Sequence, residues 1–127
     1  MDDFYYRKLI AYQKAKALII VIYDMMKHFP AFEHHALSDQ LRRAAISVAS
    51  NIAEGMGRFA IKERIHFLEI AYGSLMETMC QTEIALSLGY INDEEFQRIE
   101  NLVLEVAKTT SGLRTTLTNK LNNNPGK

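Results

Sequence analysis

The side chains that could do chemistry in this sequence are few, and most lack the companions that their chemistry needs. Glu63-x-x-His66 puts a carboxylate and an imidazole on one helix face, the spacing with which helical bundles hold metal. A two-metal site needs a second such pair and two further inward glutamates, yet only one pair exists and no histidine follows His66. His34 and His35, with His28 and Glu33 nearby, read as exposed side chains of a connection. Cys80 is the single cysteine; beside Met79, with no base or second thiol evident, it reads as a buried structural thiol rather than a nucleophile. Gly55-x-Gly57 has no preceding strand and therefore not the context of a phosphate-binding loop. The expectation is a chain without catalytic residues, metal, cofactor or small-molecule substrate.

Cations and aromatics offer a different chemistry. Tyr5, Tyr6, Tyr12 and Tyr23 share a segment with Arg7, Lys8, Lys14 and Lys16, which suits base stacking and phosphate contact but equally suits packing at helical spacing. Further along, Arg43, Ser47, Ser50, Asn51, Glu54 and Arg58 fall on one side of a helix, opposite Leu41, Ala45, Val48 and Ile52, with small Ala49 and Ala53 between. Two readings of this stripe stay open. It is either a solvated face carrying the i,i+4 pair Glu54 and Arg58, or a partly buried seam in which Asn51 and Glu54 bond the glycine turn or a neighbouring helix. In both cases Arg43 and Arg58 are available to phosphate.

These residues need long helices to position them, and the composition supplies them. Of 127 residues, 48% are hydrophobic and 24% charged, with only two prolines, Pro30 and Pro125, to interrupt helices. The first helix is expected from Phe4 to Phe29, with Leu9, Tyr12, Ile19, Ile22, Tyr23 and Met26 as its stripe. Residues 17 to 23 are apolar all round, so a second face must be covered, for example by another subunit. After Pro30 to Leu37, Ser38 is the expected N-cap of the second helix, Asp39 sits in its first turn, and Leu41, Ala44, Ala45, Val48 and Ile52 face inward. Gly55 and Gly57 are expected to end it through left-handed geometry. The third helix, Ile61 to Leu88, carries the seam Ile65, Leu68, Tyr72, Leu75, Met79, Thr82 and Leu86. Gly89 caps it, Tyr90 or Ile91 folds back, and Asn92 with Glu95 forms a capping box. The fourth helix runs from Asp93 through Phe96, Ile99, Val103, Val106, Thr110, Leu113, Leu117 and Leu121 to a polar tail, residues 122 to 127.

The fold expected is all-α, an antiparallel up-down-up-down four-helix bundle in one domain, residues 1 to 121. Formal net charge is zero, but residues 1 to 66 hold 10 basic and 7 acidic side chains whereas residues 67 to 127 hold 5 and 8. The longest apolar run is too short for a membrane span, and the lone cysteine with the start Met1-Asp2-Asp3 points to the cytoplasm.

The segment Ser47-Val48-Ala49-Ser50-Asn51-Ile52-Ala53-Glu54-Gly55, with Gly73-Ser74-Leu75-Met76-Glu77 and the turn Leu88-Gly89-Tyr90-Ile91, resembles the bacterial four-helix bundle family associated with 23S ribosomal RNA intervening sequences. The motif residues are Ser47, Asn51, Glu54, Gly55, Gly73, Ser74 and Glu77. The resemblance implies a small cytoplasmic protein without an assigned activity, assembled as a ring-like homopentamer. It also implies a likeness to the accessory bundle proteins of diversity-generating retroelements, which bind nucleic acid through a basic surface. This chain differs from those in being neutral, and it has Ala60 where many relatives have a Ser or Thr cap. The resulting expectation is a non-enzymatic oligomer that binds RNA or a ribonucleoprotein through Arg7, Lys8, Lys14, Lys16, Arg42, Arg43, Arg58, Lys62 and Arg64, with no membrane partner. Its alternative is a protein-interaction scaffold with no nucleic-acid role.

Overall fold

The computed structural model describes residues 4 to 123, which form only helices and turns. A short 3-10 helix, Tyr5–Lys8, precedes α1 (Ile10–Met26), and another, Ala31–Glu33, precedes α2 (Leu37–Met56); α3 (Ile61–Ser87) and α4 (Asp93–Asn123) complete the chain. Contacts link α1 to α2, α2 to α3, α3 to α4 and α4 back to α1, a closed cycle around one core. Met1 to Asp3 and Asn124 to Lys127, which include most of the expected tail, lie outside the described residues; Asn122 and Asn123 belong to α4. No helix among the described residues is long and apolar enough to cross a membrane.

Leu18, Ile22, Leu41, Ile52, Leu68, Leu75 and Ile99 are fully buried, each contributing about 1.5–3 kcal/mol by leaving water. The inward face of α2 is as expected, and Ala49, Gly55 and Met56 extend it. On α4, Ile99, Val103, Val106, Thr110 and Leu117 are buried, with Phe96, Leu113 and Leu121 half-buried.

The first helix departs from expectation. It breaks at Leu9, whose backbone is extended, so that Tyr6 and Leu9 pack against the core and the Tyr6 ring meets Tyr12 edge-on at 4.8 Å. It ends at Met26, after which Lys27, His28 and Phe29 each bond three residues back. Its fully buried stripe is Ala11, Ala15, Leu18, Ile22 and Met25; of the expected stripe Ile22 is buried, Leu9, Tyr12, Ile19 and Met26 pack against the core, and Tyr23 turns outward. Where every side chain is apolar, periodicity does not select the inward face.

The α3 seam is wider than expected, with Ile65, Met79 and Leu86 packed against the core as expected. Leu68, Leu75 and Thr82 are buried as expected, but Ala71, Thr78, Gln81 and Ala85 complete the face while Tyr72 is exposed. Small residues let α3 approach its neighbours, and the buried Thr78 and Thr82 hydroxyls donate to the carbonyls of Ser74 and Thr78. Cys80 is exposed, a correction to the buried thiol expected beside Met79, because the seam passes through Gln81 and Thr82 instead.

Two helix ends follow expectation closely. Gly89 takes φ +78°, Tyr90 N–H donates to Ala85 and Gly89 N–H to Leu86, the paired bonds of a glycine-terminated helix. Asn92 and Glu95 exchange backbone-to-side-chain bonds at 3.2 and 2.8 Å. Two others differ. α2 starts at Leu37, so Ser38 is not its cap but a buried first-turn residue; the Leu37 N–H donates instead to the Glu33 carboxylate. Gly55 and Gly57 lack left-handed geometry, since Gly89 alone among the described residues has positive φ.

Glu33 has a second role. Its other oxygen accepts the Tyr90 hydroxyl at 2.7 Å, and the Phe29 ring lies 5.3 Å from that of Tyr90, so one carboxylate joins the first connection to the α3–α4 turn. The hydrogen bond to Glu33 first, then desolvation and the carboxylate charge, hold the Tyr90 phenol above its ordinary value of 10.0. A raised folded value means that this contribution is complete below about pH 10 and is lost as pH rises through the folded value. Chemical denaturation from pH 8 to 11 is expected to show an alkaline loss of stability that is smaller in Tyr90→Phe; equal slopes in both proteins would refute the link.

Candidate functional site

The motif residues gather where α2 meets α3. Ser47, half-buried, shares a 2.8 Å hydrogen bond with Ser74, and Asn51 donates to both the carbonyl and the hydroxyl of Ser47 at 2.8 and 2.9 Å. The polar stripe of α2 therefore divides: Ser47 and Asn51 turn toward α3, whereas Arg43, Ser50 and Glu54 stay exposed. The contact across to α3 is made by Ser47 and not by Asn51 or Glu54: Asn51 bonds within its own helix, and Glu54 is exposed and pairs with Arg58.

One turn beyond Asn51, Gly55 explains itself by distance. A Cβ there would lie 2.8 Å from the Phe67 Cβ and 3.3 Å from the Arg64 carbonyl, so only glycine allows α3 this close. Above this contact Arg58 donates to Glu54 at 2.8 Å and lies over the Phe67 ring at 4.7 Å, while Arg64 Nε donates to the Arg58 carbonyl at 2.7 Å. That last bond ties the start of α3 to the turn, where Ala60 supplies no side-chain cap. Gly73 and Glu77 are exposed on α3 and do not join the Ser47 network.

A shallow groove of about 560 Å³ runs along the α2 stripe, with Tyr23 of α1 on one side and Arg42, Arg43, Ile46 and Asn51 on the other. Asp39 organises its cations, accepting from Arg42 at 3.4 Å and from Arg43 at 3.1 Å; Arg42 also donates to the His34 carbonyl. The nine candidate cations do not form one patch. Lys14 pairs with Glu105 of α4 at 3.2 Å, Lys16 lies 5.7 Å from the Tyr12 ring, and Arg7 lies 4.8 Å from the Phe4 ring. Lys8 and Lys62 are exposed. All these ion pairs are solvent-facing, so each is worth at most about 1 kcal/mol and a phosphate can replace the carboxylate at little cost.

Asp39 and Phe67 were not foreseen as site residues. Asp39 has its signal in the i,i+3 and i,i+4 spacing to Arg42 and Arg43, whereas the Arg58–Phe67 contact runs from the α2–α3 connection to α3 and has none. Glu63 and His66 are exposed, and no group of three metal-ligating side chains exists among the described residues.

Ser47→Ala and Ser74→Ala are each expected to lower stability by about 0.5–1.5 kcal/mol, and the double variant by less than their sum, because either alteration breaks the same bond. Gly55→Ala should cost more, about 1–3 kcal/mol, by forcing α2 from α3. Urea unfolding measures all of these; additive serine effects or a harmless Gly55→Ala would contradict the described contacts.

The chain matches the model of the family described as 23S rRNA-intervening sequence protein over residues 7–112. A solved structure from Bacteroides thetaiotaomicron VPI-5482, described as a protein with unknown function from the S23 ribosomal protein family, is similar in fold. The TM-score is 0.75 at 23% identity, covering 83% of this chain and 98% of that one. No curated protein matches the chain in sequence.

Proposed function

Because the chain belongs to the 23S rRNA-intervening sequence protein family, we propose that it is a non-enzymatic cytoplasmic bundle that assembles into a ring-like homopentamer and holds RNA or a ribonucleoprotein weakly. Residues 1 to 121 act as one domain with antiparallel up-down-up-down helices. Supporting that topology, the partner of α2 moves from Ser74 back to Phe67 as α2 advances from Ser47 to Gly55.

The observation that carries this reading is the adjacency of an apolar strip and exposed cations. Ile20 is 67% exposed beside Tyr23, 40%, and Tyr23 in turn lines the α2 groove with Ile46, 42%, the exposed Arg43 and the half-buried Arg42. Leu18 and Ile22 account for the inward side of α1, which leaves Ile20 and Tyr23 for a second copy. Assembly repeats a weak cationic patch around the ring, and repetition gains avidity that a neutral single chain lacks. Arg43, 80% exposed in its side chain, and Lys62 are the cations best placed to meet phosphate.

One observation favours the scaffold reading, in which the ring holds a polypeptide: Lys14, Arg42, Arg43 and Arg58 already have carboxylate partners. Light scattering is expected to give a mass five times that of one chain, and Ile20→Asp to reduce it to a monomer that stays helical. A monomeric unaltered protein would refute the ring. RNA retention is expected at low salt and to fall steeply as salt rises; none at low salt, together with nuclease-insensitive capture of a polypeptide, would favour the scaffold.

A further inference from the structure

A second groove, of about 410 Å³, lies between α3 and α4 and shares no lining residue with the α2 groove. Its size is within the range of small-ligand sites, roughly 300–1,000 Å³. Leu68 supplies an apolar floor, Tyr72 and Gly73 line it from α3, and Thr110 and Arg114 line it from α4. Arg114 donates to Glu69 at 3.0 Å, joining the two helices at the rim.

Two features here are not accounted for by contacts among the described residues. Gly73 sits inside a 27-residue helix, where alanine is favoured over glycine, yet a Cβ at Gly73 would meet no atom within 4 Å. Gly55 is explained by Phe67; Gly73 has no such neighbour. Independently, Thr110 is 2% exposed and its hydroxyl has no hydrogen-bond partner among the described residues. Thr78, Thr82, Thr109 and Thr116 donate to a carbonyl one turn earlier, whereas the hydroxyls of Thr110 and Thr118 on α4 have no partner among the described residues, and of these two only Thr110 lines the groove. An unpaired buried hydroxyl is unfavourable, and here it belongs to a side chain that lines the groove.

We propose that this groove takes a single unpaired nucleotide of an RNA strand, which rests on the RNA reading above and gives it a site. A flat base fits where Gly73 has no side chain, with the Tyr72 ring beside it. The Thr110 hydroxyl gains a partner on the base, the Glu69 carboxylate accepts from an exocyclic amino group, and the Arg114 guanidinium meets the phosphate. Adenine is preferred to uracil, because its larger face stacks better on the Tyr72 ring and its exocyclic amino group donates to Glu69, where uracil has only its N3–H. Both charges are about half exposed, so their mutual pair yields readily to the nucleotide.

Fluorescence anisotropy with labelled single-stranded oligoadenylate and oligouridylate tests this on the full chain. Oligoadenylate should bind more tightly, and Gly73→Ala and Thr110→Val should each weaken it about five-fold or more. Neither variant should lower the unfolding temperature, since alanine suits the helix and valine removes an unpaired hydroxyl. Unchanged affinity in both variants, with RNA still bound, overturns the groove and leaves the RNA reading standing. No binding of either oligonucleotide by the unaltered protein overturns the groove, and no retention of a long RNA at low salt overturns both. A loss of oligomer mass in Gly73→Ala makes the groove a subunit contact, and adenosine monophosphate binding as tightly as the strand makes it a free-nucleotide site; either result overturns the proposal.

Discussion

The close approach of α2 and α3 is the constraint on which the other features rest. Gly55 lets the Phe67 Cβ come within 2.8 Å of where a side chain would begin, and Ser47 and Ser74 meet by hydroxyl further along the same interface. With these two points set, Arg58 comes to lie over Phe67, Arg64 reaches back to the turn, and Asn51 finds its partner in Ser47. The motif residues Ser47, Gly55 and Ser74 thus act first as geometry, joining two helices at a fixed distance, with Asn51 bonded to Ser47. Surface chemistry follows from that, because Arg43 and Ser50 face outward only while Ser47 and Asn51 face in.

The same economy appears at the other connections. Glu33 replaces the serine cap expected for α2 and also receives Tyr90, so one acidic side chain orders two loops that are distant in sequence. The α3–α4 turn depends instead on local geometry, with the positive φ of Gly89 and the reciprocal bonds of Asn92 and Glu95. Local devices of this kind need no neighbour to specify them, which is why they can be recognised in sequence.

What was legible follows from that distinction. The α2 face, the α4 seam, the glycine turn at Gly89 and the capping box all depend on residues within a few positions of each other. The α1 stripe is legible only in part, since residues 17 to 23 offer no polar side to show that Leu18 lies at the centre of the buried face and Tyr23 outside it. The α3 seam was misread where Ala71, Thr78 and Ala85, small or polar, outrank Tyr72 for the interior. Gly55 was seen as a terminator, although its cause is the proximity of Phe67, and neither that contact nor the Glu33–Tyr90 bond leaves a trace in local spacing. Of the candidate site, the cations and their local pairs with Asp39 and Glu54 are legible in the spacing, whereas the Lys14–Glu105 pair depends on which helices are neighbours.

A neutral chain with scattered cations binds a polyanion usefully only when copies act together, so assembly and binding are one claim. The most direct measurement is the affinity of a long RNA for the unaltered protein and for the monomeric Ile20→Asp variant at one fixed low salt concentration. Assembly-dependent binding predicts that the monomer is weaker by about a hundred-fold or more; equal affinity of monomer and assembly would contradict it.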